Sequence, residues 1–197
     1  MTVQAGEMLA VEGASGAGKS TLLHILGTLD RPTEGKVFFQ GQDLFDRTEA
    51  ELAELRNRHI GFVFQLHHLL PEFSALENTL MPALIQGWPL KKAEKDAERT
   101  LVQLGLQDRL HHKPGQLSGG EQQRVAVARA LMLNPKVILA DEPTGNLDTQ
   151  IGEEVHNLLL RINREQGITI IIVTHNPLLA TRMTRRVRLA DGRVKES

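Results

Sequence analysis

The sequence predicts an α/β fold, a parallel sheet flanked by helices, with a helical segment inserted after Gln65. Short apolar runs alternate with amphipathic stretches near both ends of the chain, which is typical of strands buried on both faces. Between Gln65 and Leu117 the pattern is helical and no run resembles a strand. We therefore predict one domain, with a core of residues 1–65 and 134–197 and a helical subdomain of residues 66–133.

The first predicted elements surround a glycine-rich loop. The stretch MLAVE at Met8–Glu12 is predicted to be a short buried strand, and a helix is predicted from Lys19 onward. One side of that helix would be apolar, formed by Leu22, Leu23, Leu26 and Leu29. A strand and turn are predicted in KVFFQGQDL, then a helix that begins with a Thr48-x-x-Glu51 capping box, then a strand in HIGFVFQ.

Two helices are predicted in the inserted segment, and the α/β alternation resumes after it. Ser74-x-x-Glu77 is a second capping box, and a helix from Lys91 to Leu104 should end at Gly105. After Pro135 the order is a KVILAD strand, a helix and a TIIIVTH strand. The Asp191-Gly192 pair predicts a final hairpin.

Composition excludes several classes of protein. The chain has no cysteine, so it has neither disulfides nor thiolate chemistry, and its formal net charge of −1 provides no general attraction for nucleic acid. The most apolar run, Ile168 to Val173, is far shorter than the ~20 residues that a spanning helix needs. We therefore expect no nucleic-acid partner, and contact with a membrane only through other proteins.

The first glycine-rich loop, GASGAGKS, has the P-loop pattern between a strand and a helix. Its backbone amides and the helix start would hold phosphate oxygens, while Lys19 would reach the β- and γ-phosphates and Ser20 would ligate Mg²⁺. The alternative is a strand-to-helix turn that binds nothing. The predicted ATP-binding residues here are Gly13, Ala14, Ser15, Gly16, Ala17, Gly18, Lys19, Ser20 and Thr21.

Two acidic residues end the strand in VILADE. Asp141 would stand at the carboxyl edge of the sheet, beside the P-loop, where it can hold the hydration shell of Mg²⁺. Glu142 follows at once and is the candidate general base for an attacking water. The alternative is that both acids only supply negative charge to the start of the next helix.

A second pair of glycines begins a helix in QLSGGEQQR. Ser118-x-x-Glu121 is a capping box and accounts for the serine and the glutamate, but not for Gly119 and Gly120. Glycines expose backbone amides at the positive end of a helix, which makes a second anion site. The first loop already surrounds the phosphates, so we predict a head-to-tail dimer in which each chain completes the other's site.

These motifs together resemble those of the ATP-binding-cassette (ABC) ATPases over essentially the whole chain. The resemblance implies a P-loop NTPase core, ATP and Mg²⁺ as ligands, and two ATP molecules between two chains. It also implies that Gln65 senses Mg²⁺ and the attacking water, that Asp148 crosses the dimer interface, and that His175 contacts the γ-phosphate. The partners implied are integral membrane permease subunits, at the cytoplasmic face of a bacterial inner membrane.

One feature departs from the family pattern. Members normally carry an aromatic residue upstream of the P-loop on which adenine stacks, but no aromatic residue precedes Gly13 and the chain has no tyrosine. Stacking of a base on an aromatic ring is worth ~1–3 kcal/mol. The expectation is that an N-terminal segment is missing from this sequence, the alternative being that adenine is held in another way.

Within the family, the stretches HHLLPEFSALEN and DEPTGNLD are similar to those of ATPases from lipoprotein-releasing systems. Relatives in macrolide or peptide efflux and in cell division are alternatives, and an ATPase acting on DNA or ribosomes is a remote one. We expect about half of the apolar residues after Gln65 to be core, and the rest to line a groove for a membrane subunit. These residues are Leu69, Leu70, Pro71, Phe73, Leu76, Leu80 and Met81. The pairs His67-His68 and His111-His112 do not have the spacing of a zinc site.

Overall fold

The computed structural model describes residues 1–196, which form a six-stranded sheet and a separate small hairpin. The strands are β1 (Met8–Glu12), β2 (Phe38–Phe39), β3 (Gln42–Asp43), β4 (Ile60–Phe64), β5 (Val137–Asp141), β6 (Thr169–Thr174), β7 (Arg185–Ala190) and β8 (Arg193–Glu196). The α-helices are α1 (Lys19–Leu26), α2 (Glu49–His59), α3 (Ala75–Ile85), α4 (Leu90–Gln103), α5 (Gly119–Leu131), α6 (Thr149–Gln166) and α7 (Pro177–Ala180).

The large sheet has the order β4-β5-β6-β1-β7-β8, and its first five strands are parallel. Its registers place Phe64 opposite Asp141, and Asp141 opposite Val173. The strands therefore end at nearly the same level, so residues that follow β4, β5, β6 and β1 lie along one carboxyl edge of the sheet. The α/β fold with a mostly parallel sheet is confirmed.

Three predicted helix starts are accurate, because side-chain hydrogen bonds of a capping box fix each of them. The capping boxes at Thr48, Ser74 and Ser118 are all present. Helix α4 spans Leu90–Gln103 and is followed by Gly105 with a φ of 73°. The final hairpin between β7 and β8 is also confirmed.

One predicted helix extends too far. Helix α1 ends at Leu26, and Thr28 adopts a φ of 56°, which is incompatible with a continuing helix. Leu29 is therefore not on the apolar side of α1, and 46% of it is exposed. The prediction of Leu29 as part of that side was wrong, because the helix terminates at Gly27 before the apolar pattern does.

Residues 66–133, all of which the structure describes, contain helices and loops and no strand. This segment still shares its core with the sheet. Leu101 and Val125 from the helices lie in one buried cluster with Ile138 and Ile170 from the strands. Helix α5 therefore attaches the helical segment to one face of the sheet.

Candidate active site

Four neighbouring parallel strands each end immediately before a predicted site residue. Gly13 follows β1, His175 follows β6, Glu142 follows β5 and Gln65 follows β4. The carboxyl edge of an open parallel sheet is the usual place for a ligand in such folds. Strand β6 lies between β5 and β1, so Asp141 is separated from the P-loop strand by one further strand.

The P-loop presents an uncapped helix start. Gly18 precedes α1 with a φ of 94° and Gly16 has a φ of 79°, conformations that favour glycine. No side chain caps α1, and its first turn contains no acidic residue. The Nζ of Lys19 donates hydrogen bonds to the carbonyl oxygens of Gly13 (2.9 Å) and Ala14 (3.0 Å). The amides at this positive helix end therefore remain available to an external anion.

Glu142 and His175 form a pair across the ends of β5 and β6. The Nδ1 of His175 lies 2.8 Å from Oε1 of Glu142, and the backbone N–H of His175 donates to Oε2 at 3.3 Å. The side chain of Glu142 is only 15% exposed, whereas that of His175 is 71% exposed. Glu142 also has a φ of 45°, which is strained for a residue with a Cβ and is typical of functional positions.

Gln65 is held by Asn146, a contact that the sequence did not reveal. The Nε2 of Gln65 donates to Oδ1 of Asn146 at 2.8 Å, and Nδ2 of Asn146 donates back to the Gln65 carbonyl oxygen at 3.4 Å. A side chain at Gly145 would lie 2.7 Å from the same Nε2 atom. The only sequence signal was that Asn146 belongs to the quoted stretch GNLD.

Packing within the same chain explains why glycines occupy positions 119 and 120. A Cβ at Gly120 would overlap Cγ2 of Ile151, and one at Gly119 would lie 3.1 Å from Cδ2 of Leu147. Gly120 is buried and Gly119 is exposed. The glycines therefore let α5 pack closely against the start of α6, a reason that the sequence analysis did not include.

The start of α5 is capped and carries a negative charge. The Ser118 hydroxyl accepts from the Glu121 N–H at 3.3 Å, and Glu121 accepts from the Ser118 N–H at 2.7 Å. Glu121 also pairs with Arg109 at 2.9 Å. These hydrogen bonds, that from Ser118 first, hold the pKa of the Glu121 carboxyl below its usual value.

Asp148 has a structural role that its sequence context could have revealed. It is the N-cap of α6, and its Oδ1 accepts from the Ile151 N–H at 2.9 Å. Aspartate is among the preferred N-cap residues, so the position of Asp148 before an apolar helical pattern indicated a cap at the start of a helix.

The apolar stretch after Gln65 divides between core and surface. Leu80 is buried, and Leu69 and Leu76 are half-buried against the core, whereas Leu70, Pro71 and Phe73 are exposed. A separate, largely apolar groove of about 400 Å³ lies along β4. Its lining includes Phe62, Phe64, Pro82, Ile85, Arg129 and Leu133. Leu70 and Phe73 do not line this groove, and their expected contact with a membrane subunit stays a prediction.

The comparisons with known proteins identify the family of this chain. Residues 1–145 match the model of the family described as "ABC transporter". The chain belongs to that family. The dimeric structure of the ATP-binding cassette MJ0796 in a post-hydrolysis state, bound to ADP and phosphate, superposes with a TM-score of 0.90. It is 41% identical, and the match covers all of this chain and 88% of that one.

The similar curated proteins indicate a particular branch of the family. Relatives from Geobacter metallireducens (61% identical) and Syntrophus aciditrophicus (59% identical) are both named "Lipoprotein-releasing system ATP-binding protein LolD". Each match covers 98% of this chain, and 86% and 87% of the relatives respectively. A relative of the same name from Myxococcus xanthus is 57% identical over the whole of this chain. The predicted resemblance to ATPases of lipoprotein-releasing systems is confirmed.

Proposed function

We propose that this chain is the ATP-hydrolysing subunit of a bacterial ABC transporter that powers release of lipoproteins from the inner membrane through partner membrane subunits. The observation that carries the ATPase activity is the convergence of the uncapped P-loop with Gln65, Glu142 and His175 at one sheet edge. The cargo is supported by the identity of 57–61% to relatives named for lipoprotein release.

The residues of the P-loop fit a nucleoside triphosphate. The first amides of α1 lack a side-chain cap, and the Lys19 ammonium already lies on the loop, where its donors can turn to phosphate oxygens. Ser20, Asp141 and the Oε1 atom of Gln65 would supply hard oxygen donors of the type that Mg²⁺ prefers. When bound with the phosphates, Mg²⁺ would neutralise their charge.

Glu142 is the residue we assign as general base, which takes a proton from the attacking water. His175 holds both carboxylate oxygens of Glu142 and is exposed enough to reach a γ-phosphate. Gln65, fixed through its Nε2 by Asn146, would orient the water.

The second half of each ATP site would come from another copy of the chain in a head-to-tail dimer. Ser118, Gly119 and Gly120 would contact the γ-phosphate bound to the partner's P-loop, and Asp148 would lie at the interface. The exposure of Gly119 supports this arrangement, since Ser118 and Glu121 cap the helix start without covering that residue. Residues 66–133 would act as the helical subdomain that carries this loop.

The membrane partner would dock on the apolar groove beside β4. The groove extends from α2 to the end of α5, and its Arg129 donates to the backbone carbonyls of His67 and His68 just after Gln65. Among residues 1–196, no helix combines the length and the apolar character that crossing a bilayer requires. The chain would therefore reach the cytoplasmic face of the inner membrane through its permease subunits.

The test is a Glu142→Gln chain, expressed in its native cells and purified from solubilised membranes with ATP present. Removal of the base should slow hydrolysis about 100- to 10,000-fold while ATP binding is retained. Glu94→Gln on the exposed side of α4 is the matched control, which should hydrolyse ATP normally.

Co-purification of an integral membrane protein together with lipoproteins is the expected result. Co-purification of an efflux or cell-division permease would leave the ATPase assignment in place and overturn the assignment of lipoproteins as the cargo. Nucleic acid or ribosomes without a membrane protein would overturn the transporter assignment. Normal hydrolysis by the Glu142→Gln chain would remove Glu142 from the role of base.

A further inference from the structure

The loop between Glu142 and α6 connects three parts of the site. Asn146 holds Gln65, and Leu147 lies beside Gly119 at the start of α5. The Gly145 N–H donates to the carbonyl oxygen of Glu142 at 3.0 Å. A shift of this loop would therefore displace Glu142, Gln65 and the second glycine pair together.

One side chain anchors the middle of this loop to the body of the protein. The Oγ1 of Thr144 lies 2.8 Å from Nε2 of His156, which stands two turns into α6. His156 is only 2% exposed. A buried imidazole is unusual, and none of the predicted roles of the motif residues involves it.

The imidazole of His156 is suited to a fixed hydrogen bond rather than to proton transfer. Burial is the main cause that lowers its pKa, and the smaller effects of Glu153 and Arg182 oppose each other. Its Nδ1 atom has no hydrogen-bond partner among residues 1–196. The contact with Thr144 is therefore the hydrogen bond that compensates for burying this ring.

We propose that His156 is a positioning residue for ATP hydrolysis, which fixes the loop 143–148 through Thr144 and so sets the position of Glu142 and Gln65. It would act through Thr144 and not by direct contact with the nucleotide. The proposal rests on the role proposed above for Glu142. Its consequence is that the hydrogen bond affects the rate of hydrolysis and leaves the affinity for ATP unchanged.

The test measures kcat and KM for ATP in chains altered at Thr144. Thr144→Val keeps the shape and removes the hydroxyl, and it should lower kcat about threefold to tenfold, the range that one lost hydrogen bond supports, with KM changed less than twofold. Thr144→Ser restores the hydroxyl and should recover most of kcat. This rescue separates the hydrogen bond from general packing.

A second pair of variants addresses the imidazole. His156→Leu should reproduce the loss of kcat. His156→Gln should retain part of the wild-type kcat, because the glutamine amide can reach Thr144. If the two residues act through one bond, the double variant Thr144→Val with His156→Leu should be no slower than the slower single variant. Ile162→Ala, buried further along α6, is the control for loss of stability without loss of this bond.

A wild-type kcat in Thr144→Val would overturn the proposal. It would also be overturned if Ile162→Ala lost as much kcat as Thr144→Val while its melting temperature fell by the same amount. Glu142→Gln is measured in parallel. If Glu142→Gln hydrolyses ATP normally, the role of Glu142 fails first, whereas an inactive Glu142→Gln beside a normal Thr144→Val overturns only the positioning role.

Discussion

Two helices of this protein have glycine at their starts, and these starts differ in their capping. Helix α1 follows Gly18 in a left-handed conformation, has no side-chain cap and has no acid in its first turn. Helix α5 follows Ser118, closes a complete capping box and places Glu121 in its first turn. Glycine therefore occurs at a helix start without a side-chain cap in one place and at a capped start in the other.

This difference shows what glycine contributes at each site. In the P-loop it permits the backbone conformation that directs amides toward a phosphate. At the start of α5, Gly120 permits the close approach of Ile151. Of these two starts, only the first leaves its backbone amides without a side-chain cap. The second exposes Gly119, as the proposed role in a partner chain's site requires.

The largest effect is expected from removing the cation at the first helix start. Charge-assisted hydrogen bonds are each worth about 1.5–3 kcal/mol, so Lys19→Ala should weaken ATP binding roughly 100-fold. Titration of a fluorescent ATP analogue measures this. Lys91→Ala, at an exposed lysine, is the control. Unchanged affinity in Lys19→Ala would show that the uncapped α1 is not the phosphate site.

An intermediate effect is expected at the second helix start. Gly120→Ala forces a methyl group into Ile151, and such overpacking costs about 1–3 kcal/mol, partly offset by the better helix propensity of alanine. Chemical denaturation measures the change. The added substitution Ile151→Ala should relieve the overlap, and Gly119→Ala is the exposed comparison. A Gly120→Ala chain as stable as the wild type would remove the packing explanation.

The smallest effect is expected from the charge on the α5 cap. Its hydrogen bonds hold the pKa of Glu121 below its ordinary value of 4.5, so they stabilise the fold above pH 4.5 and are lost as the pH falls through the folded-state pKa. Glu121→Gln keeps a capping side chain without this titration. The difference in melting temperature between the two chains should therefore shrink below pH 4.5. A constant difference across this range would contradict the charge contribution.

Local patterns made most of the fold predictable. Capping boxes fixed three helix starts, and the alternation of apolar runs indicated which residues would follow the strands. Contacts between distant residues were not predictable. Gln65 meets Asn146 across 81 positions and Glu142 meets His175 across 33, and only the order of the strands brings these pairs together. The close approach of Gly120 to Ile151 was not predictable for the same reason.

In the proposed dimer, the second glycine pair completes the site of a partner chain. We would test this first by mixing chains that carry Lys19→Ala with chains that carry Ser118→Arg, and by measuring ATP hydrolysis in confirmed mixed dimers. Thr48→Arg, which removes a similar cap on α2, controls for loss of the cap alone and should remain active.

Each altered chain alone should be inactive, because every site in its dimer lacks one half. A mixed dimer retains one intact P-loop facing one intact Ser118 loop, so the account predicts hydrolysis well above that of either chain alone. Confirmed mixed dimers that remain as inactive as their parents would contradict it.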